Sequence, residues 1–126
     1  APRNNRIQVF RKDGSFVKEG RLSMNTLGQG AVWDIAFSRD PQQRYLYVAD
    51  GANMKVHVVE RQSLTLLTSF GDGGRYPGQF LAVSSVATDS KGNLYTAEAA
   101  EGKRLQRFVF KGVGAVSRNQ GVLWPK

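Results

Sequence analysis

Short apolar runs separated by polar turns recur along the chain, and their length is typical of β-strands. Residues 32–37 form a compact apolar run of the kind that is buried on both faces of a sheet. Residues 55–59 alternate, which places Val56 and Val58 on one face and His57 on the other. We therefore expect an all-β chain without a convincing helix. The other predicted strands are residues 7–10, 15–18, 45–49, 64–70, 83–88, 94–97 and 104–110.

Turns rich in glycine separate these runs. Asp13-Gly14 predicts a hairpin between the first two strands, because glycine adopts the positive φ that tight turns need. Residues 89–93 predict a second such turn. Residues 71–74 read Gly-Asp-Gly-Gly, and we interpret them as a connection between repeats. A phosphate-binding loop is the less favoured interpretation, since no helix follows to add its dipole.

The strands belong to an internal repeat. Three segments begin with a cation followed by an aliphatic and then a polar residue, and they start 49 residues apart, at Arg6, Lys55 and Arg104. Residues 47–50 match residues 95–98 at an offset of 48, and residues 35–37 match residues 86–88 at an offset of 51. Short insertions in the loops produce small differences of this kind between the offsets. Internal repetition at this period is typical of solenoids, propellers and related arrays.

Four antiparallel strands in each repeat predict the blade of a β-propeller. The chain then holds about two and a half blades: the outer half of one in residues 1–27, a complete blade in 28–74, and a complete or terminal blade in 75–126. Propellers close with typically four to eight blades. The predicted fold class is therefore an all-β partial propeller.

In this register the residues resemble the NHL repeat. The segments that carry the resemblance are Asn4 to Phe10, Tyr47 to Asp50, Phe70-Gly71, Tyr76 to Phe80 and Val86 to Glu98. The departures are Lys55 where arginine is usual, Thr96 and Glu98 where valine and aspartate are usual, and a longer loop at residues 39–44.

The resemblance implies a ring that commonly has six blades, so the remaining blades or a protein partner must complete it. We expect a fragment of a larger propeller, because residues 123–126 (Leu-Trp-Pro-Lys) look like a natural finish and Ala1 enters in mid-blade. Related propellers include amidating lyases and lactonase-like enzymes, which use a metal in the central channel. Any such ligands would have to lie outside this chain.

Composition narrows the range of partners. The chain of 126 residues carries a net charge of +8 and a pI near 10.2, which favours anionic partners. The cations are scattered rather than clustered, so nucleic acid is a possible but not favoured partner. Cysteine is absent, and no apolar run approaches the ~18 residues of a membrane span. We expect a bacterial protein that is periplasmic or secreted, without a membrane span.

Candidate chemistry is sparse. His57 is the one histidine of the chain, and a solvated or hydrogen-bonded side chain is the favoured interpretation over a metal ligand. No nucleophile elbow surrounds a serine. We therefore expect no catalytic residue, no metal site and no cofactor within the chain.

Two acidic–basic pairs recur at equivalent places, Asp50 with Lys55 and Glu98 with Arg104. Their recurrence favours structural ion pairs over a binding site. Recognition is expected instead on the loops of one face, here called the top face: the lead-in loops at residues 28–33 and 75–80 and the middle loops at residues 50–53 and 98–103. The candidate binding residues are Trp33, Asp50, Asn53, Arg75, Tyr76, Gln79, Glu98 and Lys103.

Three functions remain open from the sequence. The leading hypothesis is a non-catalytic scaffold that presents the top-face loops to a protein or polymer partner. The alternative is part of a metal-dependent propeller enzyme. RNA binding through a basic face is the lesser alternative.

Overall fold

The computed structural model describes residues 5–22, 30–99 and 102–112. Within these ranges the chain forms nine strands and no helix. The strands are β1 (Arg6–Phe10), β2 (Phe16–Arg21), β3 (Asp34–Phe37), β4 (Tyr45–Asp50), β5 (Lys55–Glu60), β6 (Thr65–Phe70), β7 (Val83–Thr88), β8 (Leu94–Glu98) and β9 (Leu105–Phe108).

The strands pair into three consecutive antiparallel sheets. The first sheet contains β1 and β2, the second has the order β3-β4-β5-β6, and the third has the order β7-β8-β9. Each strand pairs with its neighbour in sequence, as expected of successive propeller blades. The half blade and the complete blade predicted from the repeat are thus present as a two-stranded and a four-stranded sheet. A fourth strand of the third sheet would fall after residue 112, outside the described residues.

The predicted turns are also present. Gly14 and Gly92 have φ of 92° and 86°, values that favour glycine, in the β1–β2 and β7–β8 turns. At the second turn, Asp89 accepts hydrogen bonds from the main-chain amides of Lys91 and Asn93. The turn sequence therefore sets the hairpin geometry through side-chain bonds to its own backbone.

The core lies between the sheets, in two apolar layers. Buried side chains of the first and second sheets form one layer: Ile7, Leu22, Val32, Leu46, Val48, Val59 and Leu64. The second layer joins the second and third sheets: Ala49, Val56, Phe80, Val83, Val86 and Leu94. Phe80, which is 0% exposed, lies within 6.3 Å of the Phe70 ring centroid and 5.8 Å of the Phe108 centroid. Each sheet is thus stabilised chiefly by burial against its neighbour.

Polar bonds fix the second and third sheets at the inner strands. The Asp34 carboxylate on β3 accepts a hydrogen bond from the Val86 amide on β7 at 3.0 Å. Arg39, just after β3, donates to the Thr88 hydroxyl at 2.9 Å and to its carbonyl at 2.8 Å. The innermost strands of the two sheets are therefore tied by directional bonds as well as by apolar contact.

One expectation about β3 is wrong. The run at residues 32–37 was expected to be buried on both faces, but Ile35 and Phe37 are 39% and 45% exposed. Both side chains lie on the face of the second sheet that is turned towards the first sheet. That sheet has two strands among the described residues, and its apolar Ile7 packs in a layer with β4 and β5 side chains. β3 is left uncovered on that face.

In the described ranges, the structure contains no helix that is long and apolar enough to cross a membrane.

Thr96 on β8 is a buried residue whose polar group is not satisfied. Its side chain is 0% exposed, and its hydroxyl has no hydrogen-bond partner among the described residues. Val48 occupies the repeat-equivalent position on β4 and is also 0% exposed. A buried hydroxyl without a partner loses its hydration without compensation.

We predict that Thr96→Val stabilises the protein by about 1 kcal/mol, because the substitution keeps the shape and removes the unsatisfied hydroxyl. Urea unfolding at equilibrium measures the change. The mirror substitution Val48→Thr should destabilise by a similar amount. A Thr96→Val protein that is less stable than the wild type would contradict this explanation.

Candidate functional site

Glu98 is the centre of the polar cluster at the top of the third sheet. It ends β8, and its side chain is 0% exposed. One carboxylate oxygen, Oε2, accepts from Arg104 Nε at 2.7 Å and from Gln106 Nε2 at 3.0 Å, while Oε1 accepts from the Leu81 amide at 2.7 Å. The predicted ion pair between Glu98 and Arg104 is confirmed. It is part of a satisfied network rather than an isolated pair.

Arg104 extends this network to the whole connection between β6 and β7, residues 71–82, which contains the predicted lead-in loop at residues 75–80. Its guanidinium donates to the carbonyl of Gln79 at 2.6 Å, to that of Gly74 at 3.3 Å, and to that of Arg75. Gln106 donates to the Gln79 carbonyl at 2.8 Å. The planar guanidinium has five donors in a fixed geometry, which lets one side chain hold both the carboxylate and the loop.

The electrostatics of Glu98 follow from these bonds. Burial by itself would raise the pKa of Glu98, but hydrogen bonds from Arg104, Leu81 and Gln106 outweigh it and hold the pKa below its usual value of 4.5. Glu98 is therefore ionised at neutral pH and serves as an acceptor only.

Asp50 has the same place in the second sheet, at the end of β4, but different partners. Its carboxylate accepts from the Asn53 amide at 2.9 Å, from Asn53 Nδ2 at 2.7 Å and contacts His57 Nε2 at 2.7 Å. The predicted ion pair with Lys55 is wrong: Lys55 Nζ donates to the Gly71 carbonyl at 3.3 Å instead. An ammonium is a compact charge with three donors, and here one of them bonds to the main-chain carbonyl of the neighbouring loop.

His57 is buried rather than solvated. It is 3% exposed, and its Nδ1 lies 2.6 Å from the Ser69 hydroxyl on β6. Asp50, His57 and Ser69 thus form a hydrogen-bonded chain across β4, β5 and β6. Catalytic triads have the same order of groups and also use both ring nitrogens; here Asp50 and His57 are buried, and the three groups lie on neighbouring paired strands of one sheet. Of the two expected states of His57, solvated or hydrogen-bonded, the hydrogen-bonded state is confirmed. The chain of hydrogen bonds holds the three strands together at the middle of the sheet.

The structure brings the candidate residues together in two groups. Asp50 and Asn53 are bonded directly, and Trp33 packs on the same turn, since a Cβ at Gly51 would lie 2.5 Å from its ring. Trp33 Nε1 donates to the Gly30 carbonyl at 2.8 Å. Part of the predicted lead-in loop at residues 28–33 lies outside the described residues.

The second group surrounds Arg104. Glu98 bonds to its side chain, and the carbonyls of Arg75 and Gln79 accept from it. Gln79 also accepts, through Oε1, from the Tyr76 amide at 3.1 Å. The Tyr76 side chain itself is 69% exposed, and those of Arg75 and Lys103 are exposed too.

Gln106 and Ser69 are the site residues that sequence reasoning missed, and His57 was not included among the candidate binding residues. Gln8, His57 and Gln106 share one repeat position, so the 49-residue spacing already marked it as polar in every unit. What the spacing could not give was the direction of those side chains, which is set by strand register. Among the described residues, no group of three or more histidine, aspartate or glutamate side chains could hold a metal ion.

Arg104→Ala is expected to destabilise the protein by about 3 kcal/mol, because it leaves the buried Glu98 carboxylate without its cation. The same change frees the loop at residues 71–82. Urea unfolding measures the first effect, and amide hydrogen exchange of the loop measures the second. Arg104→Lys is the matched control: it keeps the charge, and we expect partial recovery of stability with little recovery of loop protection. Wild-type exchange in the loop of Arg104→Ala would refute the role of this side chain.

The depressed pKa of Glu98 predicts a dependence of stability on pH. Its contribution to the free energy of unfolding is fully present above pH 4.5, its usual pKa, and is lost as the pH falls through the lower pKa of the folded state. The difference in unfolding free energy between wild type and Glu98→Gln should therefore shrink below that pH. Urea titrations from neutral pH down to acid measure it. A difference that stays constant with pH would show that the charge of Glu98 plays no part.

Among solved structures, the chain is similar to one from Kuenenia stuttgartiensis, described as hydrazine synthase. The TM-score is 0.52 and the sequence identity 17%; the alignment covers 75% of this chain and 23% of that one. That protein contains a β-propeller. No protein-family model matches the chain, and no curated protein does either.

The chain thus spans less than a quarter of the structure it matches, and at this identity the likeness carries the fold alone. The two-, four- and three-stranded antiparallel sheets agree with it. The fold is that of an all-β partial β-propeller.

Proposed function

We propose that the chain is a non-catalytic binding scaffold, an NHL-type propeller segment that presents its top-face loops to a protein or polymer partner. The observation that carries this proposal is the state of two acidic groups on that face. Asp50 and Glu98 are buried and fully bonded to loops and strands, so they hold the loops in place. A fixed loop loses less conformational entropy on binding than a mobile one.

The side chains left exposed on this fixed loop suit recognition. Tyr76 is 69% exposed on a loop whose backbone is held by Arg104, and Arg75 and Lys103 are exposed cations close to it in the fold. Tyrosine and arginine are the residues most enriched at interface hot spots. The cations favour a partner with an acidic surface.

We also propose that further blades or a partner complete the ring. The apolar side chains exposed on the flanks of the sheets support this proposal. Val56 on β5 is 0% exposed beneath the third sheet, whereas Leu105, its repeat equivalent on β9, is 70% exposed. On the opposite flank, Ile35 and Phe37 are exposed. Apolar faces of this kind are typical of surfaces that another element covers.

The test compares the wild-type chain with a variant in which Arg75, Tyr76 and Lys103 are all changed to alanine. Each chain is immobilised and exposed to extract of the source organism, and retained proteins and acidic polymers are quantified. We expect one retained partner whose capture falls at least about tenfold in the variant, since truncating hot-spot side chains costs ~2 kcal/mol or more each.

The matched control is Arg11→Ala with Lys12→Ala, two exposed cations on the hairpin between β1 and β2, at the end of the sheet opposite the top-face loops. It should retain the partner at the wild-type level. Equal capture by the top-face variant and the wild type would refute the proposal. Stoichiometric zinc or calcium in the full-length protein, together with turnover, would instead support the metal-dependent propeller enzyme.

A further inference from the structure

A groove opens at the end of the second and third sheets opposite the top face. It lies between the β3–β4 loop and the β7–β8 turn, and its volume is about 290 Å³, close to the ~300 Å³ at which small-molecule sites begin. Three cations line it, Arg39, Arg44 and Lys91, together with the rings of Tyr47 and Phe110. None of the candidate top-face residues belongs to it.

The cationic side of the groove is built on a fixed loop. Arg39 is held across the sheets by its two bonds to Thr88. Arg61 donates to the carbonyls of Gln42 and Gln43 at 2.9 and 2.7 Å, which secures the rest of the β3–β4 loop. Donors that are positioned before the ligand arrives lower the entropic cost of binding.

Two of the cations make no direct ion pair in the described part of the chain, although Arg44 lies near enough to Asp40 for their charges to interact. The guanidinium of Arg44 lies over the Tyr45 ring, 5.4 Å from its centroid, and the Lys91 side chain makes no ion pair there. Stacking on tyrosine orients a guanidinium while its N–H groups stay available to an anion.

Asp40 is the one carboxylate of the groove, and its oxygens are already engaged. It accepts from the Ser38 hydroxyl and from the Arg44 amide. The hydrogen bond from Ser38 holds the pKa of Asp40 below its usual value, so it is ionised at neutral pH. With three cations and one carboxylate, the groove carries a net charge of +2.

The opposite side of the groove offers flat apolar surface and a phenol. The backbone amide of Phe110 donates to the Asn93 side chain at 2.9 Å, which places the Phe110 ring beside Gly92. Burial raises the pKa of Tyr47, with the charge of Asp40 acting in the same direction, so Tyr47 stays neutral and can donate a hydrogen bond. Aromatic side chains stack readily on the flat face of a ring.

We propose that this groove binds a phosphate monoester whose organic part carries a flat ring, a ligand about the size of a mononucleotide. The net charge of the groove favours a phosphate over a carboxylate. A phosphate monoester has a charge of about −2 at neutral pH, which balances the charge of the groove, whereas a carboxylate has a single negative charge. Arg44 and Lys91 bind the phosphate oxygens, and the ring lies against Tyr47 and Phe110. This site is separate from the top-face loops and goes beyond the scaffold function.

Isothermal titration with AMP tests the proposal. Adenosine lacks the phosphate, ribose 5-phosphate lacks the flat ring, and adenosine 5′-carboxylate keeps the ring but replaces phosphate by carboxylate. We expect AMP to bind at least about tenfold more tightly than each of the three, because each lacks one feature that the groove recognises. Equal affinity for AMP and adenosine 5′-carboxylate would overturn the choice of phosphate. Binding of a single-stranded oligonucleotide without binding of AMP would overturn the choice of a small ligand.

Substitutions locate the site. Arg44→Gln and Lys91→Gln each remove one free cation and should each weaken AMP binding about tenfold, and Phe110→Leu should weaken AMP more than ribose 5-phosphate. Lys103→Gln is the matched control, an exposed cation of the top face that should leave AMP binding unchanged. Thermal unfolding verifies that each variant is folded. Unchanged affinity in both Arg44→Gln and Lys91→Gln would refute the site.

The outcome is independent of the scaffold proposal. The variant with alanine at Arg75, Tyr76 and Lys103 should bind AMP normally even though it loses its macromolecular partner. Loss of AMP binding in that variant would place the ligand on the top face and overturn the groove.

Discussion

In the second and third sheets, a buried carboxylate at the end of the second strand organises the surrounding loops and strands. Glu98 and Asp50 have equivalent positions in the repeat, and neither side chain is exposed to solvent. A buried charge is costly unless every acceptor site is used. The surrounding loop and strands therefore arrange their donors around it, and the lead-in loop of the third sheet is held to β9 through Arg104 as a result.

The two carboxylates meet this constraint in different ways. Glu98 takes a guanidinium that also binds three loop carbonyls, so the charge and the loop are held by one side chain. Asp50 takes His57 and the Asn53 side chain, and Lys55 is released to bond to Gly71. Within one architecture, the repeat thus tolerates different donors as long as the carboxylate is satisfied.

The two ends of the sheets differ in what they leave available. At the top, Asp50 and Glu98 are used internally. Tyr76 and Arg75 remain exposed on a fixed loop, and Lys103 is exposed on the loop between β8 and β9. At the opposite end, bonds between Arg39 and Thr88 join the sheets, and cations and aromatic rings line a groove between them. The bonds that stabilise the contact between blades therefore also shape both surfaces on which binding is proposed.

The fold could be predicted far better than the site. The period of 49 residues placed the strands, the hairpin turns and the pairing of Glu98 with Arg104, because strand period and turn chemistry are local properties of the chain. The pairing of Asp50 with Lys55 was predicted by the same analogy and was wrong. Adjacent Cα positions do not decide which donor reaches a carboxylate; side-chain length, donor geometry and the neighbouring loop do.

The sequence by itself determined an all-β repeat with consecutive antiparallel sheets, since alternation and spacing fix which residues share a face. Only the tertiary structure decided that His57 is buried between Asp50 and Ser69, that Ile35 is exposed, and that Arg39 crosses to Thr88. The contacts of His57 depend on side-chain directions within the second sheet, whereas the exposure of Ile35 and the bonds of Arg39 depend on how one sheet lies against the next. That geometry joins residues about 50 positions apart and leaves no local pattern in the sequence.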